Sequence, residues 1–207
     1  NASNGSADGG NGTWSASEAN WTISNGTFND AWGSNDAEFG GAAGTVTVSG
    51  TQLVNDIDFV TSGYVLNGGT LSLTGGPSEI SVVAAGTATI NSVLSGTGGL
   101  DKTGDGTLVL GGNNLFSGTT AVLAGELAVT GSGALASTVV NVSGTGTLTT
   151  DADALAAGAT VTVSGTGTFT GNGADSYTAI SQSGGTINGA GLQTLSGTFS
   201  QTGGDMG

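Results

Sequence analysis

One short strand pattern recurs along this chain: a glycine, usually a threonine, then an apolar residue, a small or polar one, and a second apolar one. It reads Thr45-Val46-Thr47-Val48, Thr70-Leu71-Ser72-Leu73, Thr87-Ala88-Thr89-Ile90, Thr107-Leu108-Val109-Leu110 and Glu126-Leu127-Ala128-Val129. Shorter copies follow at Thr147-Leu148, Thr168-Phe169, Thr186-Ile187 and Thr198-Phe199. The preceding glycines, Gly44, Gly69, Gly86, Gly106, Gly125, Gly146, Gly167 and Gly185, lie 17 to 25 residues apart. Strands at a period near twenty, with no 3.6-residue periodicity between them, predict a β-solenoid in which each coil pairs only with its neighbours. The fold class expected is therefore all-β: a parallel β-helix with about 20 residues per coil.

Each coil needs more than one strand. Ile57 to Val60, Tyr64 to Leu66, Ala121 to Leu123, Val139 to Val142 and Thr160 to Val163 are further candidates between the repeats. Because successive strand residues point to opposite faces, Val46 and Val48, Leu71 and Leu73, and Leu108 and Leu110 turn inward while the threonines between them turn out. Leu71, Leu108, Leu127 and Leu148 are expected to form one inward column. Paired glycines such as Gly68-Gly69, Gly98-Gly99, Gly111-Gly112 and Gly184-Gly185 mark corners. Helix is expected at most over Asp151 to Ala157, where Asp151 is placed to cap one turn. A β-sandwich, the rival for short strands between glycine-rich turns, does not repeat one strand pattern eight times. Residues 1–40 fall outside the period and contain Trp14, Trp21 and Trp32, so we divide the chain into an N-terminal cap or donor segment, 1–40, and coils, 41–207.

Composition sets limits on partners. The 207 residues carry 15 acidic groups against Lys102 alone, a formal charge of −14, which excludes nucleic acid and disfavours an anionic membrane surface. Hydrophobic residues make up 36%, too many for a disordered linker despite 42 glycines. Cysteine is absent and no apolar run approaches the ~20 residues of a membrane-spanning helix, both compatible with life outside the cell. The chain begins at Asn1 without Met or a leader pattern, which suggests a processed or excised segment. Sequons at Asn1, Asn4, Asn11, Asn20, Asn25 and Asn141 are what chance supplies in so Asn-, Ser- and Thr-rich a chain.

The stretch from Ser95 to Leu127 carries Gly99-Leu100, Lys102-Thr103-Gly104, Gly106-Thr107-Leu108, Asn114, Gly118-Thr119-Thr120 and Ala124-Gly125-Glu126-Leu127 in that order. It resembles the autotransporter-associated β-strand repeat, and Trp14, Asn20-Trp21, Trp32 and Phe39-Gly40-Gly41 look more loosely like the start of such proteins. The resemblance implies a right-handed parallel β-helix displayed on a bacterial surface as an autotransporter passenger. Asp101, Asp105 and Phe116 depart from the usual residues of that repeat. No C-terminal membrane barrel follows, so the chain is expected to be either an excised passenger or a barrel-less relative.

Chemistry has few places to reside. Histidine, cysteine and arginine are absent, which removes most acid–base and nucleophilic mechanisms. Carboxylate-only glycoside hydrolysis survives as the alternative function, with Asp56 and Asp58, or Asp151 and Asp153, two residues apart and on one face. Asp101 with Asp105, or Asp151 with Asp153, are the candidates for a Ca²⁺ site, but no loop spacing defines one, so no metal, cofactor or catalytic residue is assigned. The tryptophans are read as a cover for the first coil, with sugar stacking as the second possibility. Thr45/Thr47, Thr87/Thr89, Thr147/Thr149, Thr160/Thr162 and Thr168/Thr170 form outward pairs of the kind ice-binding solenoids use, interrupted at Val109 and Ala128.

The function expected is thus an extracellular structural or adhesive scaffold and not an enzyme. Its partners are cell-surface or matrix glycans, or copies of itself. The segment from Phe199 to Gly207 offers no cap, so a complete chain is expected to stack head-to-tail into filaments, with the N-terminal segment of one copy covering the last coil of the next, whereas a monomeric chain is expected to be a fragment whose missing coils continue the stack.

Overall fold

The computed structural model describes residues 8–23, 28–33, 35–191 and 193–207. The strands wind into a parallel β-solenoid whose coils each present three faces. The first face is built from Thr51–Val54, Thr70–Leu73, Val93–Ser95, Asn113–Asn114 and Ala134–Leu135. The second runs through Ala37–Phe39, Ile57–Phe59, Ser78–Val82, Leu100–Thr103, Thr120–Val122, Val139–Val142 and Ala159–Val163. The third holds Gly12–Trp14, Thr45–Val48, Val65–Asn67, Thr87–Ile90, Thr107–Leu110, Glu126–Val129, Thr147–Thr150 and Thr168–Gly171. In the last two coils the strands Asp175–Gly189 and Gln193–Met206 run on around the corners.

One column of the second face is paired through every coil, although the register shifts beside it at Ala159/Thr160 and at Tyr177/Ala179. Ala37, Ile57, Ile80, Lys102, Val122, Val142, Val163, Gln182 and Gln201 stack in one column, in steps of 19 to 23 residues. Among the described residues the only antiparallel pair is Trp21–Ile23 with Phe28–Asp30, which removes the sandwich. No helix forms among them either. Asp151 to Ala157 makes two turns around an isolated bridge from Leu155 to Leu135, with Asp153 in the left-handed region at φ 55°. The expected capped helical turn is therefore corrected: adjacent coils claim this backbone for their ladder.

The core lies between the three faces and is filled by the alternate residues that the strand pattern places inward, Leu108, Leu110, Leu127, Leu148 and Phe169 among them. Ala88, Leu108, Leu127, Leu148, Phe169 and Ile187 do form a column on the third face. Leu71 does not belong to it. It is buried as expected, but on the first face, paired with Gln52 and Leu94. Thr198-Phe199 likewise sits on the second face, beside Ala179-Ile180. The Gly-Thr pattern is a strand-entry signal used at more than one corner, so similarity of pattern did not guarantee equivalence of position.

Corners explain the glycines. Gly104, at φ +66°, stacks on the coil below so closely that a Cβ would lie 2.4 Å from the Val82 carbonyl oxygen. Gly125, at φ +60°, would place one 2.3 Å from the Gly106 oxygen. Both positions require a residue without a side chain. Corner carbonyls that turn into the core are met by a few buried polar side chains, as buried backbone acceptors must be. Lys102 Nζ donates to Thr103 O at 2.6 Å, Gly104 O at 2.8 Å and Ala124 O at 3.1 Å. In the same column, one coil before the last, Gln182 Nε2 donates to Gly185 O at 3.1 Å and Asp205 O at 2.9 Å. Asn114 does this at another corner, donating to Gly112 O and Ala134 O while accepting from Leu94 N–H.

Candidate functional site

Six carboxylates gather on the outer side of the second face. Alternation turns Glu38 and Asp58 outward in register, followed by Ser81 and Thr103 on later coils. Asp36, Asp56, Glu79 and Asp101 extend the acidic strip beside them, and together with Ser81 most of these residues line a shallow groove of about 470 Å³. Asp56 Oδ1 accepts from the Glu79 backbone N–H at 2.8 Å, and Asn55 Nδ2 links Asp36 Oδ1 at 2.8 Å with Asp56 Oδ2 at 3.1 Å. Glu79 Oε1 accepts from Thr103 Oγ1 at 2.6 Å. The Asp101 carboxyl is pushed above the usual range, by burial first and by the Glu79 charge second. Asp56 and Asp58 do share this groove, as their spacing implied.

Lys102, the only cation, is withheld from it. Its place in the inward column makes it 0% exposed. Burial drives its pKa down to about 8, opposed by the charges of Asp105 and Glu126. Asp101 and Asp105 fall on opposite sides of the corner that Lys102 ties, one on the strand and one on the exposed turn. Asp151 is taken up by the Gly131 N–H at 2.9 Å, and Asp153 by its turn, where its own N–H donates to Ala174 O. Among the described residues no group of three or more carboxylates is arranged to hold a metal ion.

The threonine pairs face outward, with Thr147 over Thr168 and Thr149 over Thr170. Glu126 interrupts this array and accepts from Thr149 Oγ1 at 2.8 Å. Asn1, Asn4 and Asn25 lie outside the described residues. Asn11 accepts from Thr45 N–H at 2.7 Å, which fastens the N-terminal segment to the strand Thr45–Val48, and Asn20 donates to Thr13 O within that segment. Asn141 is on the outer side of the second face.

At the N-terminal mouth of the core the tryptophans converge. Gly12–Trp14 pairs in parallel with Thr45–Val48, which drives Trp14 inward and buries it fully. Its ring centroid lies 4.9 Å from those of Trp21 and Trp32, edge-on, and 5.7 Å from that of Phe39. Trp21 and Trp32 are 4.5 Å apart, and Phe39 stacks on Phe59 at 5.1 Å. Trp32 Nε1 is fixed by Leu53 O at 2.6 Å, and Tyr64 Oη is placed 2.6 Å from Gly40 O and 2.8 Å from Ala42 O. The rings do not fill the mouth. A solvent-open cavity of about 120 Å³ borders the cluster, lined by the Gly9 to Thr13 segment together with Trp21, Glu38, Phe39 and Tyr64. Among the described residues Trp14 Nε1 and Trp21 Nε1 have no hydrogen-bond acceptor. The spacing of the tryptophans gave notice of a cluster. Tyr64 and Glu38 were not seen as part of it, because their neighbours come from other coils.

A single-stack parallel solenoid with a hydroxyl- and carboxylate-lined exterior defines a β-solenoid repeat domain. Residues 100–129 match the passenger-associated-transport-repeat family. Over 150 residues the chain is 44% identical to the adhesin BmaC autotransporter of Brucella suis biovar 1 (strain 1330), which covers 68% of this chain and 4% of that protein. The chain is an autotransporter-passenger repeat protein, extracellular or on the cell surface. It spans 4% of the length of this curated relative. No solved structure matches it. The matched repeat now has physical content: Lys102 ties a corner, Gly104 and Gly125 make corners, Leu108, Leu110 and Leu127 fill the core, and Asn114 satisfies a buried turn.

Proposed function

We propose that this chain is a non-catalytic, adhesive display segment, a stiff rod that holds a polar lateral surface away from the bacterium. One observation carries the reading: the inward column of the second face is paired coil to coil at every step from Ala37 to Gln201. Parallel coils spaced ~4.8 Å apart then give a rod of about 40 Å, which resists bending because every coil is hydrogen-bonded to both neighbours. The relative named as an adhesin supports an adhesive role. Surface glycans suit a face rich in hydroxyls and carboxylates better than nucleic acid or anionic lipid does.

The carbohydrate-acting alternative is the weaker reading. Its pair, Asp56 and Asp58, lies in a groove from which the only basic side chain is excluded by burial. A polysaccharide panel decides it: turnover lost in Asp56→Asn and Asp58→Asn would replace our reading, and we expect none. Association of copies end to end is the finer form of the scaffold role, in which the coil carrying Leu195, Phe199 and Met206 would be covered by another copy. Their columns descend onto Tyr177, Ile180 and Ile187. The scaffold reading is tested by coating beads with the chain and measuring retention on cell-surface and matrix preparations. Retention no greater than that of uncoated beads refutes it.

A further inference from the structure

We propose that the N-terminal segment is an autoinhibitory cap, which denies the strand edges of the first coil to a second copy of the chain. This regulates the end-to-end association described above and rests on that reading. In a parallel ladder a residue turns its N–H and C=O to one side and its neighbours turn theirs to the other, so each strand of the first coil keeps a row of groups facing out of the stack. A strand from another copy would be held by those groups.

On every face that row is obstructed. On the third face Gly12–Trp14 covers Thr45–Val48, and Trp14 O accepts from Ser49 N–H at 2.8 Å, so Thr13 O points out of the stack, where Asn20 Nδ2 donates to it. On the first face Val54 O accepts from Thr74 N–H at 3.0 Å, so Leu53 O points outward and is taken by Trp32 Nε1 at 2.6 Å. Asn55 N–H, on the same side, donates to Asn35 O at 3.2 Å. On the second face Ala37 N–H and Phe39 O are bonded to the following coil, which leaves the outward groups of that edge to Glu38, and Glu38 brings an exposed carboxylate. Charge on an edge strand opposes strand addition. Water satisfies carbonyls at a solvent edge without help, so side chains placed on them do something more: they fill the acceptors that an incoming strand would use. Asn20 and Trp32 lie in a stretch that leaves the coil path, since Gly12 pairs with Val46 and Asn11 meets Thr45 34 residues on. The occupant held off is the coil of a second copy that carries Leu195, Phe199 and Met206, because that approach continues the strands in parallel.

Light scattering and sedimentation velocity of the intact chain over a wide range of concentration test the cap. Wild type is expected to keep one mass throughout. Combining Asn20→Ala, Trp32→Phe and Glu38→Thr opens all three rows while an aromatic ring stays at position 32, and the mass of this variant should at least double as its concentration rises. Adding Phe199→Asp to the opened variant should return it to the wild-type mass. Circular dichroism checks the fold of each variant, and if the triple variant misfolds, Asn20→Ala with Trp32→Phe decides. Association of wild type overturns the cap and leaves end-to-end association standing. One unchanging mass for wild type and opened variant alike overturns the cap and removes end-to-end association with it. Association of the opened variant that survives Phe199→Asp overturns the contact with the last coil.

Discussion

Replacing Lys102 by methionine tests how the chain satisfies its own corners. The wild-type ammonium is completely buried and donates to three backbone carbonyls. Lys102→Met keeps the bulk of the side chain and removes all three donors, each loss costing about 1–3 kcal/mol for a buried acceptor. Burying the charge works the other way. A pKa lowered from 10.5 to about 8 means that the protonated form is disfavoured in the folded chain by about 3 kcal/mol. At neutral pH these effects partly cancel, and the variant should lose a net ~2 kcal/mol or somewhat more. Raising the pH separates them. Between about pH 8 and 10.5 the folded chain has released the proton while the unfolded chain still holds it, so wild-type stability rises with pH and is fully regained above 10.5. The gap between wild type and Lys102→Met should therefore widen by about 3 kcal/mol across that window. Burial raises Tyr64 and Tyr177, which lose stability as pH climbs past their ordinary value of 10.0, but both proteins share that loss and the difference cancels it. Urea unfolding followed by circular dichroism at a series of pH values is the assay. A gap that is constant or narrows from pH 8 to 10.5 refutes the reasoning.

Three further perturbations follow from the stack. Leu108→Ala, inside the column between Ala88 and Leu127, should cost about 2–5 kcal/mol in the same urea assay, and Leu108→Asp more, by leaving an unpaired buried charge. Gly125→Ala should cost upward of ~1 kcal/mol, since φ +60° and a neighbouring oxygen 2.3 Å away both reject a Cβ, so a thermal midpoint equal to wild type would contradict the corner geometry. Asp175, nearly buried, accepts from Thr150 Oγ1 at 3.2 Å and Leu155 N–H at 3.3 Å, yet burial outweighs these bonds and raises its carboxyl. Stability from its protonated form is present below the unfolded value of about 3.9 and lost as pH rises through the folded one. Wild type should thus lose ground to Asp175→Asn on going from pH 3 toward neutrality in thermal melts, and parallel profiles would show that the carboxyl is not held neutral.

The sequence by itself determined the period, the parallel stack and the alternation of inward and outward residues, because each is a local consequence of a two-residue side-chain repeat and of glycine at corners. It also held more than its pattern alone suggested: Leu100 and Lys102 share strand parity, so an inward lysine was implied by the same rule that sent Leu108 and Leu110 inward. Only the tertiary structure decided which strand belongs to which face. Leu71 and Phe199 carry the same Gly-Thr pattern as Leu108, yet they stack on Leu94 and Ile180, because coil lengths of 19 to 23 residues absorb small insertions at the corners. The same holds at the N-terminal mouth. Trp14 and Trp21 announce themselves in the chain, but Glu38 and Phe39 join them from one strand and Tyr64 from just before another, and a cavity exists only where coils leave space between them. Local geometry is encoded residue by residue, whereas register between coils is set by how the side chains of neighbouring turns pack, and that is a property of the folded stack.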